Sequence, residues 1–345
     1  MKILIVTKNW LGDILFQIPA IETIHRQYPE AEIVCMSPNR CKEILEAHPA
    51  VKRVLVFDEK KEHRSFFGRW AFAWRIRNER FDRVYLFHDS RTRAALVWLA
   101  GIPVRIGFAG NRRVFLTRAI KEPQRKMHQV DYFLCVVEEA EGLAHETKPY
   151  HFYFSPQDAE SAKRKTKSLP GSSYVCFHLG ANWEPKRWPV THFAKLADLI
   201  HQRWGLPVIV TGGAQDVPLA ETLKREIRQA QVMILAGCTT LGELGAIFKN
   251  SLFVVSGDSG PMHIASGVGT SVAALFGPTD PDGTGPRGTG KILILRFVPE
   301  GFQVPWYGEE KDFPKEGWLS HIQPEEVIRA IEKQHWVSSA VPYVL

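Results

Sequence analysis

Two stretches decide the fold: Lys2-Ile3-Leu4-Ile5-Val6-Thr7-Lys8-Asn9-Trp10-Leu11-Gly12-Asp13, and Leu252-Phe253-Val254-Val255-Ser256-Gly257-Asp258-Ser259-Gly260-Pro261-Met262-His263. Each is a short apolar run, then a small polar turn, then a helical pattern, the first helix being expected from Ile14. Strand followed by helix predicts a parallel sheet, and ligands collect at the carboxyl ends of its strands. Asp13 and Asp258 are therefore expected at matching places in two halves that face each other across a cleft.

The alternation continues along the chain. Strands are predicted at 32–36, 53–57, 83–87 and 104–107, then at 174–178, 207–211, 233–235, 252–256 and 271–276. Helices are predicted at 14–28, 40–47, 62–79, 91–100, 156–168, 190–204, 216–229, 240–249, 261–267 and 323–335. This is an α/β chain with two Rossmann-like domains, 1–155 and 172–320. Pro149, Pro156, Pro170 and Gly171 mark a linker between them. The segment 321–345 is a candidate to pack back on the first domain. Glycines close most strands of the second half, among them Gly212-Gly213, where backbone can come close to a ligand.

Charge is unequally shared. Residues 1–150 hold 25 Lys+Arg and 18 Asp+Glu, a net of +7, and residues 151–345 hold 19 of each. Segment 60–83 carries Lys60, Lys61, Arg64, Arg69, Arg75, Arg77, Arg80 and Arg83, and segment 105–126 includes Arg112 and Arg113. A basic face of this kind favours an anionic partner or is simply solvated. No nucleic-acid module accompanies it. Phe66, Phe67, Trp70, Phe72 and Trp74 interleave with Arg69 and Arg75, a composition shared by interfacial and core helices. Five scattered cysteines without CxxC spacing read as reduced thiols, and no metal site is expected. No secretory signal is recognised, and no run of about 18 apolar residues is present. The expected location is the cytoplasm, with peripheral attachment at the inner face of the membrane.

Pro261 suits the first turn of a helix whose free N–H groups would receive a phosphate, with Ser259 or Gly260 as cap. Asp258 can accept from sugar hydroxyls, and His263 lies about one turn further on. Lys186, in Asn182-Trp183-Glu184-Pro185-Lys186-Arg187-Trp188-Pro189, can neutralise a diphosphate, and Asn182 can donate to it. Each also has a plain structural reading, as a capped helix and as a tryptophan-anchored surface loop. Asp13 is either a cap or a base. Gly-Asp-Ser-Gly-Pro coincides with a serine-protease nucleophile segment, but an α/β chain with no matching histidine motif argues against that chemistry. The first turn lacks G-x-G-x-x-G, so no dinucleotide fingerprint exists.

Together, the amino-terminal strand through Gly12-Asp13, the Lys186-Arg187-Trp188-Pro189 loop, Asp258 to His263 and Ala274-Leu275-Phe276-Gly277-Pro278-Thr279-Asp280-Pro281 resemble glycosyltransferase family 9, the heptosyltransferases. The Lys-Arg-Trp-Pro form is more similar to the second heptosyltransferases than to the first. The resemblance covers nearly the whole chain. It implies a GT-B fold, an ADP-heptose donor on the C-terminal domain, an anionic lipopolysaccharide inner-core acceptor on the N-terminal domain, and inversion without an essential metal or cofactor. It implies Asp13 as general base, Lys186 on the diphosphate, Asp258 on the heptose, and Ser259, Gly260 and His263 at the phosphate-facing helix start. Asn182, Gly212 and Gly213 complete the expected donor site. Arg69, Arg75, Arg77, Arg112 and Arg113 are the expected acceptor contacts. After Gly212-Gly213, the loop Ala214-Gln215-Asp216-Val217 shows no clear carboxylate for a ribose. Another sugar nucleotide, an epimerase activity and non-catalytic sugar-nucleotide binding remain alternatives.

Overall fold

The computed structural model describes residues 1–59, 61–305 and 317–337, and the chain divides into two compact units, Met1–Tyr153 and Phe154 onward. Lys60 and the end of the 321–345 segment lie outside the described residues. The first unit holds β1 (Lys2–Val6), α1 (Leu11–Gln27), β2 (Glu32–Ser37), α2 (Lys42–Glu46), β3 (Arg53–Val56), α3 (Phe66–Asn78), β4 (Arg83–Leu86), α4 (Arg91–Leu99), β5 (Val104–Phe108), β6 (Arg118–Ile120) and α5 (Gln129–Glu141). The second holds α6 (Pro156–Thr166), β7 (Val175–His178), α7 (Val190–Trp204), β8 (Val208–Thr211), α8 (Val217–Glu226), β9 (Val232–Ile234), α9 (Leu241–Lys249), β10 (Phe253–Gly257), α10 (Gly260–Gly267), β11 (Ser271–Phe276), α11 (Pro281–Thr284), β12 (Ile292–Arg296) and α12 (Pro324–Lys333).

Both sheets are parallel throughout, ordered β3-β2-β1-β4-β5-β6 and β12-β11-β10-β7-β8-β9. Read from the first strand of each unit, the two orders are the same doubly wound 3-2-1-4-5-6. Each unit is thus Rossmann-like, as the units of the GT-B fold are. The strand order reverses between β1 and β4 in one sheet and between β7 and β10 in the other, where crossovers depart in opposite directions and leave a crevice. The central strands Ile3–Val6, Val175–Phe177 and Phe253–Val255 are wholly buried, as expected of strands covered on both faces.

The topology corrects one expectation. Asp13 follows the first strand of its unit, whereas Asp258 follows the fourth strand of its own, so they are not equivalent positions. They flank the two switch points from different sides. α1 also begins at Leu11, three residues earlier than expected, which puts Asp13 in its first turn.

Other differences have local causes. The edge strands β6 and β12 were not anticipated, because each is short or largely exposed and carries little apolar alternation. α5 was missed because its Tyr132-Phe133-Leu134-Cys135-Val136-Val137 run, rich in aromatic and β-branched residues, suits a strand. It buries Val130, Phe133, Leu134, Val137 and Ala140 and stops at Gly142, whose φ is +66°. The helix 156–168, read as linker, belongs to the second unit as α6 and packs on α9. α12 buries Val327, Ile328 and Ile331 in the C-terminal core against α7, not in the first unit's core. Among the described residues no helix is long and apolar enough to cross a membrane.

Glu243 ties α6 to α9. Its carboxylate accepts from Ser161 Oγ (2.6 Å), Lys165 Nζ (2.5 Å) and the N–H of Thr240 (2.9 Å), closing a capping box with Thr240. Burial alone would raise the Glu243 carboxyl, but these donors and the Lys165 charge bring it down to about 2, from an ordinary 4.5. A depressed carboxyl stabilises the fold above its unfolded pKa and stops doing so as pH falls through the folded value. Glu243→Gln keeps the cap but loses the ion pair. We expect about 1 kcal/mol of destabilisation at pH 7, roughly 2–4 °C in Tm. The gap should narrow steadily below pH 4.5, and a gap unchanged at pH 3 would contradict this assignment.

Candidate active site

The crevice of the second unit is built by two chain segments that leave β7 and β10. After β7 the chain makes a short 3₁₀ turn, Glu184–Lys186, before α7. Pro185 and Trp188 anchor it inward, and the Trp188 indole donates to the carbonyl of Ile322 (2.9 Å). Arg187 Nε donates to Ala181 O (3.0 Å), closing the loop on itself. Lys186 is thereby aimed across the crevice, where its Nζ donates to Asp258 Oδ2 at 2.6 Å and lies 4.3 Å from the centre of the Trp183 ring. Thr279, after β11, donates to the same oxygen at 2.7 Å.

Asp258 is 8% exposed. Burial would raise its carboxyl, yet Lys186, His263 and Thr279 hold it below the ordinary range, so it stays ionised. Burial has the opposite sign on His263, whose imidazole is pushed down to about 4 and is neutral at physiological pH. The backbone here allows no side chain at Gly257, because a Cβ would meet the carbonyl of Lys186 at 2.3 Å. α10 starts immediately after Asp258. Its N-cap Ser259 does not close the helix end: its Oγ pairs with Ser256 Oγ (3.0 Å) instead. The expected side-chain cap is therefore absent, and the helix start can direct N–H groups and its dipole at an anion.

Gly212 and Gly213 follow β8 and fold over the carboxylate of Asp216, which accepts from Gly213 N–H at 2.8 Å. A Cβ on Gly180 would strike that carboxylate at 2.3 Å. Asp216 is buried and engaged in this turn. Asn182 is exposed. His178, at the end of β7, pairs through Nδ1 with Thr211 Oγ1 (3.1 Å), and burial lowers it to about 4.

The crevice of the first unit has a parallel construction. Lys8, after β1, pairs with Asp89, after β4, at 3.2 Å. The ranks of those two strands match those that supply Lys186 and Asp258. A hydrogen bond with His88, and Lys8 beside it, hold the Asp89 carboxyl well below its usual range. Asn9 bridges the two strand ends: its Oδ1 accepts from Arg93 Nη2 (2.8 Å) and its Nδ2 meets His88 Nε2 (2.9 Å). Arg93 is 2% exposed, and its Nη1 donates to Thr7 O (2.9 Å). Asp13 is half-buried in the first turn of α1, close enough to Cys41 to oppose ionisation of that thiol, which burial pushes up to about 12. The N-cap of α1 is Trp10, 53% exposed, with the Arg40 guanidinium 4.1 Å over its ring.

The geometry thus brings Lys186 and Asp258 together, with His263 in electrostatic contact and Ser259-Gly260 at the adjoining helix start. The five arginines do not form one cluster. Arg69, Arg75 and Arg77 lie on α3, where Arg69 donates to His63 O (3.1 Å). Arg112 and Arg113 lie in the 3₁₀ segment Gly110–Phe115; Arg112 is buried and Arg113 exposed. Sequence reasoning passed over Thr279, Trp10, Arg93 and Asp89. Applying the strand-end rule to β4 as to β1 would have found Asp89. Among the described residues, no three His, Cys, Asp or Glu side chains are grouped to hold a metal ion.

Gly257→Ala tests this construction. The added Cβ must displace the backbone of Lys186, at a cost of about 1–3 kcal/mol. Thermal unfolding should show that loss, and a variant as stable as the parent would refute the close approach.

The sequence model of glycosyltransferase family 9 (heptosyltransferase) matches residues 69–299. The chain is 31% identical to lipooligosaccharide heptosyltransferase 2 of Haemophilus influenzae, over 96% of this chain and 99% of that protein. It is 27% identical to lipopolysaccharide heptosyltransferase 2 of Escherichia coli, over 96% and 97% of the two chains. Among solved structures, E. coli ADP-heptose LPS heptosyltransferase II superposes with a TM-score of 0.80 at 25% identity, covering 96% of this chain and 98% of that one. A family 9 glycosyltransferase of Veillonella parvula shares the fold with a TM-score of 0.85. The chain is an enzyme of glycosyl transfer and belongs to glycosyltransferase family 9, the heptosyltransferases.

Proposed function

We propose that this enzyme transfers a heptose from ADP-heptose to the inner core of lipopolysaccharide with inversion at the anomeric carbon. The observation that carries the reading is the Lys186–Asp258–Thr279 cluster beside the open start of α10. The second heptosyltransferases to which the chain is similar support the choice of donor and acceptor.

Breaking the bond between the anomeric carbon and the β-phosphate oxygen sends the electron pair to the departing ADP, adding one negative charge to a diphosphate that already carries two. A lysine ammonium and a helix N-terminus, fixed in place before the substrate arrives, stabilise that charge without reorganising. They supply what a divalent cation would otherwise supply, so no metal is essential in this reading. Asp258, ionised and pinned by Lys186 and Thr279, is an acceptor for heptose hydroxyls. Thr279 sets the carboxylate and, through it, the lysine. Asn182 and the Gly212-Gly213 backbone complete the donor side.

Asp13 is the general base. Inversion requires a base on the acceptor hydroxyl, opposite the leaving group. An aspartate is a weak base in water, so its strength depends on exclusion of solvent when substrates bind. Trp10, held flat by Arg40, offers a sugar-stacking surface three residues away. Arg112 supports an anionic acceptor: its Nη1 is buried without a hydrogen-bond partner. Arg113, Arg69, Arg75 and Arg77 add positive charge on the same unit. The enzyme works in the cytoplasm, at the inner face of the cytoplasmic membrane.

Two measurements test this. Asp13→Ala should cut turnover of ADP-heptose with a lipopolysaccharide acceptor by roughly 100-fold or more, with ADP affinity nearly unchanged; near-normal turnover would sink the assignment. Lys186→Ala removes a charge-assisted contact of about 1.5–3 kcal/mol, so calorimetry should show ADP binding at least tenfold weaker. Thr279→Val should weaken ADP in the same direction and Thr279→Ser should restore it. Equal ADP affinity in wild type and Lys186→Ala would refute the diphosphate role.

A further inference from the structure

α3 carries apolar side chains on both its faces. Its core side is Phe72, Ala73 and Ile76. Its other side carries Phe66, 77% exposed, Phe67, 79%, Trp70, 56%, and Trp74, 53%. Positions 66, 70 and 74 follow one another at a four-residue spacing, which places them in one row along the helix. The indoles of Trp70 and Trp74 stack, with centroids 6.0 Å apart and planes 16° apart. Exposed aromatic area of this kind marks an interaction surface.

The charge around the row is mostly positive: Glu62 before the helix is exposed, but Glu79 at its end accepts from Arg53 Nη2 and Lys2 Nζ. From Phe66 to Asn78 the helix has three arginines and no acidic residue. Arg64 precedes it and is exposed. At its end, Arg77 lies 5.7 Å from the Trp74 ring and lines a shallow hollow with Arg80, Asp82 and Gly101, where Asp82 is already engaged by the N–H of Lys2 (2.6 Å). α4, packed on α3, adds exposed Trp98 and Leu99. The half of the chain that holds α3 carries the whole +7 excess.

We infer that α3 docks on an anionic phospholipid bilayer, with Phe66, Phe67, Trp70 and Trp74 in the boundary between headgroups and acyl chains. Aromatic rings favour that boundary, and flanking arginines bind the headgroup phosphates. The inference rests on the reading that the acceptor is a glycolipid only for its benefit: docking brings the N-terminal unit to the surface where such an acceptor is anchored. The attraction itself requires no saccharide.

Co-sedimentation with glycolipid-free phosphatidylglycerol vesicles separates the two. The full chain should bind them, bind phosphatidylcholine vesicles at least tenfold more weakly, and lose most binding between about 50 and 500 mM salt as the Debye length shrinks. Tryptophan emission should be quenched by brominated lipid. The variant with Phe66, Phe67, Trp70 and Trp74 all changed to Ser, whose sites are exposed and so preserve the core, should bind at least tenfold more weakly. It should retain ADP affinity and turnover on a water-soluble acceptor oligosaccharide. Arg64→Gln with Arg75→Gln and Arg77→Gln should weaken binding and flatten its salt dependence; Arg69 stays because it holds the His63 carbonyl. Failure of the parent to bind glycolipid-free vesicles, equal binding by the aromatic variant, or a concentration-dependent dimer abolished by that variant would each overturn the inference. None of these outcomes bears on ADP binding.

Discussion

The ion pair between Lys186 and Asp258 is the constraint on which the rest of the C-terminal unit depends. It spans the crevice where the sheet changes winding direction, so each partner comes from a separate crossover. Every feature around it serves to keep the two at 2.6 Å. Trp188 and Pro185 fix the loop, glycine at 257 lets that loop touch the strand end, and Thr279 takes up the same carboxylate oxygen. A buried pair of this kind is weak evidence for stability, because its desolvation roughly cancels its attraction. Its value lies in holding a charged lysine ready beside the start of α10.

The first unit repeats the device with Lys8 and Asp89, but opens it to solvent. The Asp89 side chain is 76% exposed, where that of Asp258 is 8% exposed. One doubly wound topology used twice puts a Lys–Asp pair at both switch points. Burial then makes the two electrostatically different. In the second unit the pair is enclosed, with the neutral His263 beside it. In the first it borders Asn9, His88 and Arg93, a polar lattice at the ends of β1 and β4.

Much of this was legible in the sequence, and the gaps have physical causes. The parallel α/β class and the internal strands followed from apolar runs ended by glycine or small polar residues. Lys186 and Asp258 were legible because each lies in a distinctive turn. Their direct pairing was not, since it depends on which strands are neighbours, and adjacency of β7 and β10 is a property of topology. The supposed equivalence of Asp13 and Asp258 failed for the same reason. Short edge strands such as β6 lack periodicity to read, and α5 is composed of residues that suit strands. The exposed aromatic row on α3 was ambiguous because one helix carries both a core face and an outward apolar face, and composition cannot separate them.

A crystal structure of the enzyme with ADP tests the central claim most directly. The account predicts diphosphate oxygens within about 3 Å of Lys186 Nζ and of backbone N–H groups in the first turn of α10. ADP bound with its phosphates away from both would contradict it.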